Sequence, residues 1–335
     1  MAVRLKDIAQ DLGLSTVTVS KVLRNNPDIS DRTRALVLKR MQELNYRPNM
    51  LARGLASGKS FTVGLVVPDL VHPFFGELAK SLGGTLRESG RALIIASSEE
   101  DPEIEQQEIR TLLTRGIDVL IVASCQPHPS QEDLTGDAAT PILFVDRNLP
   151  LSTYFVGTDD VMAGKMATAH LIETGKRRIA HLGGQETSPS LGRLEGYRAA
   201  LVEAGLEVRE DYVVTRARFE EAGDSAGYQA MQELLAREPR PDAVFCYNDL
   251  SAIGAMKAAL EAGLRIPGDI AFVGCGNLRY AEYLKVPLSS IDHSTQHMGE
   301  IAAKLAIELA TTPGLAARSV LLEPTLVVRQ SSFAG

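Results

Sequence analysis

Two kinds of hydrophobic spacing divide the chain. Up to about residue 60 the apolar positions recur every three or four residues: Leu5, Ile8, Ala9 and Leu12, then Val19, Val22 and Leu23, then Leu36, Val37, Met41 and Leu44. That period marks amphipathic helices, and each set forms one buried stripe. Gly13 separates the first two segments, while Ser15 and Ser30 stand where N-caps of the second and third are needed. From Thr62 onward the pattern changes to short β-branched runs: "TVGLVVP", "RALIIAS", "DVLIVAS", "PILFVD", "RRIAHLGG", "DAVFCYN" and "DIAFVGC". Each is followed by a longer stretch of helical pattern, which predicts parallel sheets built from right-handed crossovers, with strands enough for two. The expected fold is therefore α/β: an N-terminal three-helix domain, residues 1–47, ahead of a two-lobed body, residues 61–335.

The joining segment, residues 48–60, belongs to neither pattern. In "NYRPNMLARGLASGK" a short helix is signalled from Asn49, after Pro48, but Gly54 interrupts it and it has little to pack against. So short a helix is marginal in water, and a central glycine costs roughly 1 kcal/mol more. A surface outside the segment must induce it to fold.

Composition narrows the class. At 335 residues, with 44% hydrophobic and 23% charged residues, the chain exceeds one small core and fits a water-soluble protein. No apolar run approaches the ~20 residues of a membrane span, and the N-terminus lacks a signal-peptide pattern. A cytoplasmic protein without membrane contact is expected. Cys125, Cys246 and Cys275 are far apart, read as core thiols, and offer neither a disulfide framework nor a zinc site. His170, His181, His293 and His297 share no ligand spacing, so neither metal nor cofactor is expected.

Charge is unevenly spread. Residues 1–60 hold 11 Lys+Arg against 5 Asp+Glu, leaving 24 against 37 for the rest of a chain of net charge −7. A basic head on an acidic body suggests that the head meets a polyanion. On the second helix Thr16, Val17, Ser20, Lys21 and Arg24 lie opposite the apolar stripe, and three helices with such a second element match helix-turn-helix geometry. Val17 would suit a thymine methyl and Lys21 the acceptors of guanine.

The stretch "LKDIAQDLGLSTVTVSKVLRN…ISDRTRALVLKRMQELNYRPNMLARGL" resembles the N-terminal domain of the LacI/GalR family of transcriptional regulators. The likeness continues through "TVGLVVPDLVHPFF", "RLEGY", "CYNDLSAIGAM" and "PLSSID". This resemblance implies base-reading roles for Thr16, Val17 and Lys21, and phosphate contacts from Ser15, Thr18, Ser30, Thr33 and Tyr46. It implies that residues 48–60 form a hinge helix, including Ala52 and Leu55, that pairs with its copy from a second subunit and wedges Leu55 into the minor groove. Apolar wedges of this kind unstack a base step to gain a bent duplex with more contact. The family commonly has arginine where this chain has Lys21, which reads guanine less rigidly than a bidentate fork.

In open α/β folds, ligands collect at the C-terminal ends of strands. The residues just after the predicted strands include Asp69, Phe74, Phe75, Ser124, Asp146 and Arg147, and further on Arg193, Phe219, Asn248, Asp249 and Asn277; His293 is placed at the same cleft. Carboxylates, amides, arginine and aromatic faces suit a polyhydroxylated or heterocyclic small molecule. The resemblance extends to periplasmic sugar-binding proteins, and implies an N-lobe of about 61–159 and 293–320 and a C-lobe of about 160–292 and 321–335. It assigns effector contacts to Phe74, Asp146, Arg193, Phe219 and Asn248, and to an aspartate two residues after "FVG". Here the chain reads "FVGCGN", with Gly276 in that place, which favours a modified sugar, a nucleoside or a larger effector over a common sugar in the usual pose.

"GDSAG", Gly223 to Gly227, fits G-x-S-x-G but lacks the preceding buried strand of a hydrolase elbow. "LGGQETSPSLG" lacks a phosphate-loop pattern and is read as an inter-lobe loop. The expected function is that of an effector-controlled DNA-binding repressor, not an enzyme, with a palindromic operator, a small-molecule effector and a second copy of itself as partners. No heptad segment follows "LVVRQSSFAG", so dimers and not tetramers are expected. A ligand carrier without a DNA role would have no use for the basic head, and a hydrolase would need a triad.

Overall fold

In a computed structural model of the chain, residues 3–23, 26–46, 58–126, 139–148, 154–215 and 223–333 are described. They belong to two units, Met1–Ser60 and Phe61–Gly335. The first holds helices α1 (Leu5–Asp11), α2 (Thr16–Leu23) and α3 (Asp31–Glu43). Their apolar stripes meet in a small core of Ile8, Ala9, Val19, Val22, Val37 and Met41. Gly13, at φ 64°, makes the turn between α1 and α2, a conformation that a Cβ disfavours. Ser15 Oγ accepts the Thr18 amide at 3.0 Å, and Ser30 Oγ accepts that of Thr33 at 3.3 Å, satisfying donors left over at each helix start. One expectation fails: Leu36 is 48% exposed. Val37 and Met41, four apart, fill the face of α3 that α1 and α2 can cover, and Leu36 sits about 100° around the helix from Val37.

The second unit has two six-stranded sheets. The first contains β1 (Thr62–Val67), β2 (Ala92–Ser97), β3 (Val119–Val122), β4 (Ile142–Val145), β5 (Tyr154–Thr158) and β11 (Ser319–Leu322), in the order β11-β5-β4-β3-β1-β2 and all parallel. The second contains β6 (Ile179–Gly183), β7 (Val213–Thr215), β8 (Ala243–Cys246), β9 (Ala271–Cys275), β10 (Ser289–Asp292) and β12 (Thr325–Val327) in the order β12-β10-β9-β8-β6-β7, with β12 antiparallel to β10. Central strands such as β3 and β8 are buried at every position, as parallel strands covered on both faces must be.

Helices α4 (Pro73–Glu88) and α5 (Pro102–Thr114) flank the first sheet. Helices α6 (Asp160–Glu173), α7 (Ser188–Glu203), α8 (Gly223–Leu235) and α9 (Asp249–Glu261) flank the second. After β10 the chain returns to the first lobe as α10 (Thr295–Thr311), whose Met298, Ala302, Leu305 and Leu309 join the core under α4. Two helix pairs touch through glycine. A Cβ on Gly164 or Gly196 would overlap backbone of the facing helix in the pair α6 and α7, and the same holds for Gly227 and Gly254 in α8 and α9. The last glycine of "GDSAG" thus has a packing role, and Ser225 lies in the first turn of a helix.

Candidate functional site

The ends of both sheets converge on one cleft, whose empty space, counted out into the solvent at its mouth, is about 430 Å³. From the first lobe it is lined by His72, Phe74 and Phe75, which follow β1, and by Asp146, which follows β4; the second lobe contributes Arg193, Tyr247, Asn248, Asp249, Cys275, Gly276, Leu278 and His293. Asp146 adopts φ 62°, a left-handed conformation that aspartate tolerates better than most side chains. Phe74 meets Phe75 edge-to-face at 5.1 Å and His293 at 6.2 Å, making an apolar wall.

Among the described residues that line this cleft, Arg193 is the one Lys or Arg. Its Nε donates to Asp160 Oδ1 at 2.9 Å, its Nη1 to the Tyr247 carbonyl at 2.8 Å and its Nη2 to His293 Nε2 at 3.3 Å; the guanidinium also lies over the Tyr247 ring at 4.8 Å. Burial works against its charge, but the surrounding acceptors, Asp160 among them, keep it protonated. Because a guanidinium can only donate, His293 Nε2 must accept, so the ring is neutral and carries its proton on Nδ1. Burial and the neighbouring Arg193 lower the His293 pKa well below its ordinary value, in agreement with that tautomer. Cys275 Sγ lies 3.4 Å from the same Nε2, and burial pushes its thiol up to about 12. His72 is also held neutral, at about 4, by burial.

Among the described residues of the cleft walls, three polar atoms are buried without a hydrogen-bond partner: His293 Nδ1, His72 Nδ1 and Asn248 Nδ2. Asn248 caps α9 by accepting the Ser251 amide on Oδ1 at 2.8 Å, so its free atom is the amide nitrogen. Asp249 is committed elsewhere, accepting Ser290 Oγ at 2.5 Å and the Leu278 amide at 2.7 Å, and burial raises its pKa to about 6.

Of the expected effector residues, Phe74, Phe75, Asp146, Arg193, Asn248 and His293 come together here. Asp69, Ser124, Arg147 and Asn277 do not line the cleft, and each is held by a local bond. Asp69 Oδ1 accepts the Val71 amide at 2.7 Å in the turn after β1. Ser124 donates to buried Glu105 at 2.8 Å, and Arg147 forms an ion pair with Glu100 at 2.7 Å. Asn277 donates to Asp292 at 2.9 Å and accepts from Arg329 at 2.7 Å. Phe219 lies outside the described residues, as do Ala52 and Leu55. Sequence reasoning passed over His72, Tyr247, Leu278 and Asp160. The first three stand one to three positions from recognised residues, in "DLVHPFF", "CYND" and "CGNL", and Asp160 opens a helix directly after β5.

On the head, Thr16 and Val17 face solvent, Val17 at 60% exposure. Ser15 and Thr18 hydroxyls pair at 2.8 Å, as do those of Ser30 and Thr33 at 2.9 Å, each at a helix start. Tyr46 is half-buried against the head core. Lys21 Nζ is 2.5 Å from Asp28 Oδ2, so its ammonium is held beside α2 by an exposed carboxylate. Among the described residues no group of three potential metal ligands occurs and no helix is long and apolar enough to cross a membrane.

Comparison with known proteins covers both parts. Residues 4–49 match the family described as bacterial regulatory proteins, lacI family, and residues 60–323 match periplasmic binding proteins and sugar binding domain of LacI family. The ribose operon repressor of Escherichia coli K12 is 33% identical over 331 residues, covering 98% of this chain and 99% of that protein. The regulator GalR of the same organism is 35% identical over 330 residues, 98% of this chain and 95% of that one. The cellobiose complex of the transcriptional regulator CelR is similar at TM-score 0.74 and 30% identity, over 98% of this chain and 99% of that one. The Lac repressor dimer bound to operator and an anti-inducer shares the fold, at TM-score 0.85 and 24% identity over 100% of both chains.

Proposed function

The chain belongs to the lacI family of bacterial regulatory proteins and is an effector-controlled DNA-binding repressor; on that premise we propose how its parts divide the work. Helix α2 enters the major groove of a palindromic operator as one of two heads in a homodimer. Thr16, Val17 and Lys21 read bases, while Ser15, Thr18, Ser30, Thr33 and Tyr46 hold phosphates. Residues 48–60 fold on DNA between the two copies and wedge Leu55 into the minor groove beside Ala52. The protein works in the cytoplasm and catalyses no reaction, in keeping with relatives named as repressors.

The effector binds in the cleft against Phe74, Asp146, Arg193, Asn248 and His293. It prefers one arrangement of the lobes, and shifts the dimer between states that do and do not let both hinges fold, by no more than its differential affinity for them. The observation that carries this reading is the cleft itself, lined from both lobes by aromatic, acidic and amide side chains and a buried arginine. Gel shifts on a palindromic operator over a salt series test it. Affinity should fall steeply with salt as phosphate contacts release counterions, and a cleft ligand should change it at fixed salt. Shallow salt dependence on every duplex would remove the DNA role.

A further inference from the structure

His293 stands where the chain passes from the second lobe to the first, between the end of β10 at Asp292 and the start of α10 at Thr295. The crossing is held in shape. Ser294, at φ 52°, donates its amide to Asp292 Oδ1 at 2.7 Å, and Asn277 donates to Asp292 Oδ2 at 2.9 Å. The buried ring of His293 has a neighbour on each side of the crossing: Phe74 of α4 meets it edge-on at 6.2 Å, and Arg193 Nη2 of α7 donates to its Nε2 at 3.3 Å. Hinges are a few residues at element ends that absorb the change in angle between lobes, so a ring clamped at such a place resists that change.

The same guanidinium reaches a second crossing. Asp160 opens α6 two residues after β5 ends in the first sheet, and accepts Arg193 Nε at 2.9 Å. Between them the Asp159 amide donates to the Leu322 carbonyl at 3.0 Å, which joins this crossing to the one that leads from β11 to β12. Arg193 therefore holds residues at two lobe crossings while it lines the cleft. Its two grips differ in strength. The bond to Asp160 is short and charged on both sides, whereas the one to the neutral ring is longer, so an oxygen brought against Nη2 displaces His293 before Asp160.

Accepting the reading of the cleft as an effector site, we propose that His293 is the positioning residue that passes the effector's arrival to the lobes. An effector oxygen that accepts from Arg193 Nη2 takes this donor away from His293 Nε2. Asp160 keeps the guanidinium in place, the released ring turns, and Phe74 moves with the first lobe. The lobe angle thus depends on a single hydrogen bond at the hinge.

The full-length protein is tested without ligand, spin-labelled at Arg110→Cys on α5 and Val202→Cys on α7, both exposed, in a Cys125→Ser background and diluted with unlabelled protein. Double electron–electron resonance then reads the distance between lobes. His293→Leu removes the acceptor, while Arg193→Lys keeps a cation for Asp160 but lacks the fork that reaches both partners. Each should add a second distance at least about 2 Å from that of the parent. The two changes together should do no more than the larger alone, because both break one bond. His293→Gln, whose Oε1 accepts where Nε2 does, should restore the parent distance. The parent distance in both His293→Leu and Arg193→Lys, effects that add, or a His293→Gln protein that behaves like His293→Leu overturns the proposal; should His293→Leu melt too low to use, Arg193→Lys and His293→Gln decide it. Gel shifts of the same proteins, on a duplex selected from a random pool by the parent, test the reading beneath: operator affinity should change about threefold or more with the second distance. A changed distance with unchanged operator affinity would leave the His293 link standing and overturn control of DNA binding by the lobes.

Discussion

Gly164 on α6 lies so close to Arg193 on α7 that a Cβ at position 164 would overlap the Arg193 carbonyl. This approach brings Asp160, one turn earlier on α6, to 2.9 Å from the guanidinium that lines the cleft. Gly164→Ala must push the helices apart, at a cost of roughly 1–3 kcal/mol in stability. It should also weaken effector binding by misplacing Arg193, while the separate helical head keeps its DNA affinity. Urea denaturation and ligand titration measure the two effects, and unchanged stability would show that α6 and α7 can shift freely.

Lys21 stands on the face of α2 opposite Val19 and Val22, but Asp28 holds its ammonium at 2.5 Å. Engaging a guanine requires Lys21 to leave that carboxylate. Lys21→Ala should weaken operator binding about tenfold or more and relax preference at one base pair, with a much smaller loss on random DNA. Equal losses on both would assign Lys21 to phosphate alone. Asp28→Asn should free the ammonium and strengthen binding on both kinds of DNA.

Strands β1, β3, β4, β8 and β9 were legible because each is a continuous apolar run, the pattern of a strand covered on both faces; β2 carries such a run at a half-exposed sheet edge, and β6 was legible although buried His181 interrupts it. Strand β10 was not, since "SSID" carries no hydrophobic run: Ser289 and Ser290 are buried because Ser331 and Asp249 bond to them from far along the chain. Glu105 is hidden for the same reason. It stands in the charged stretch "DPEIEQQEI", yet it is fully buried, accepting from Ser124 Oγ and the Cys125 amide. Strand ends pointed to the neighbourhood of the cleft, but turns such as that at Asp69 draw some of those side chains away. Arg193 was named among the residues beyond the strands and by the family resemblance, but its pairing with Asp160 was not legible, because that depends on where two helices touch.

Acid should destabilise the fold. Burial lowers the pKa of His181 to about 3 and of His72 to about 4, and holds His293 well below its ordinary value. Above about pH 6.5 these rings are neutral whether the chain is folded or not. Below it the unfolded chain takes up protons that the folded chain refuses, so stability falls by about 1.4 kcal/mol per ring per pH unit until the folded pKa is reached. Asp249, raised by burial to about 6, opposes this as pH falls from there toward 4, but one carboxylate does not offset three rings. His181 stacks between Tyr197 and Phe245 at 5.3 and 4.9 Å, so His181→Phe keeps the stack. The variant should take up about one proton fewer on unfolding near pH 5, read from the slope of the urea midpoint against pH. An unaltered slope would show that His181 titrates alike in both states.

Closure of the lobes rests in part on Glu100, which faces Arg147 within its own lobe at 2.7 Å and accepts Gln185 Nε2 from the other lobe at 2.6 Å. The two bonds make different demands. Gln185→Ala removes the cross-lobe bond and leaves the ion pair, so it should favour an open arrangement with little loss of stability. If the effector binds in the cleft as proposed, touching both lobes, its affinity should fall roughly three- to tenfold. Glu100→Gln takes away the carboxylate facing Arg147, whose side chain is 3% exposed, and should destabilise the first lobe by about 3 kcal/mol or more. Ligand titration and urea denaturation of both variants separate the roles. A Gln185→Ala protein with the original effector affinity, and no increase in radius by small-angle scattering without ligand, would show that this bond follows closure and does not favour it.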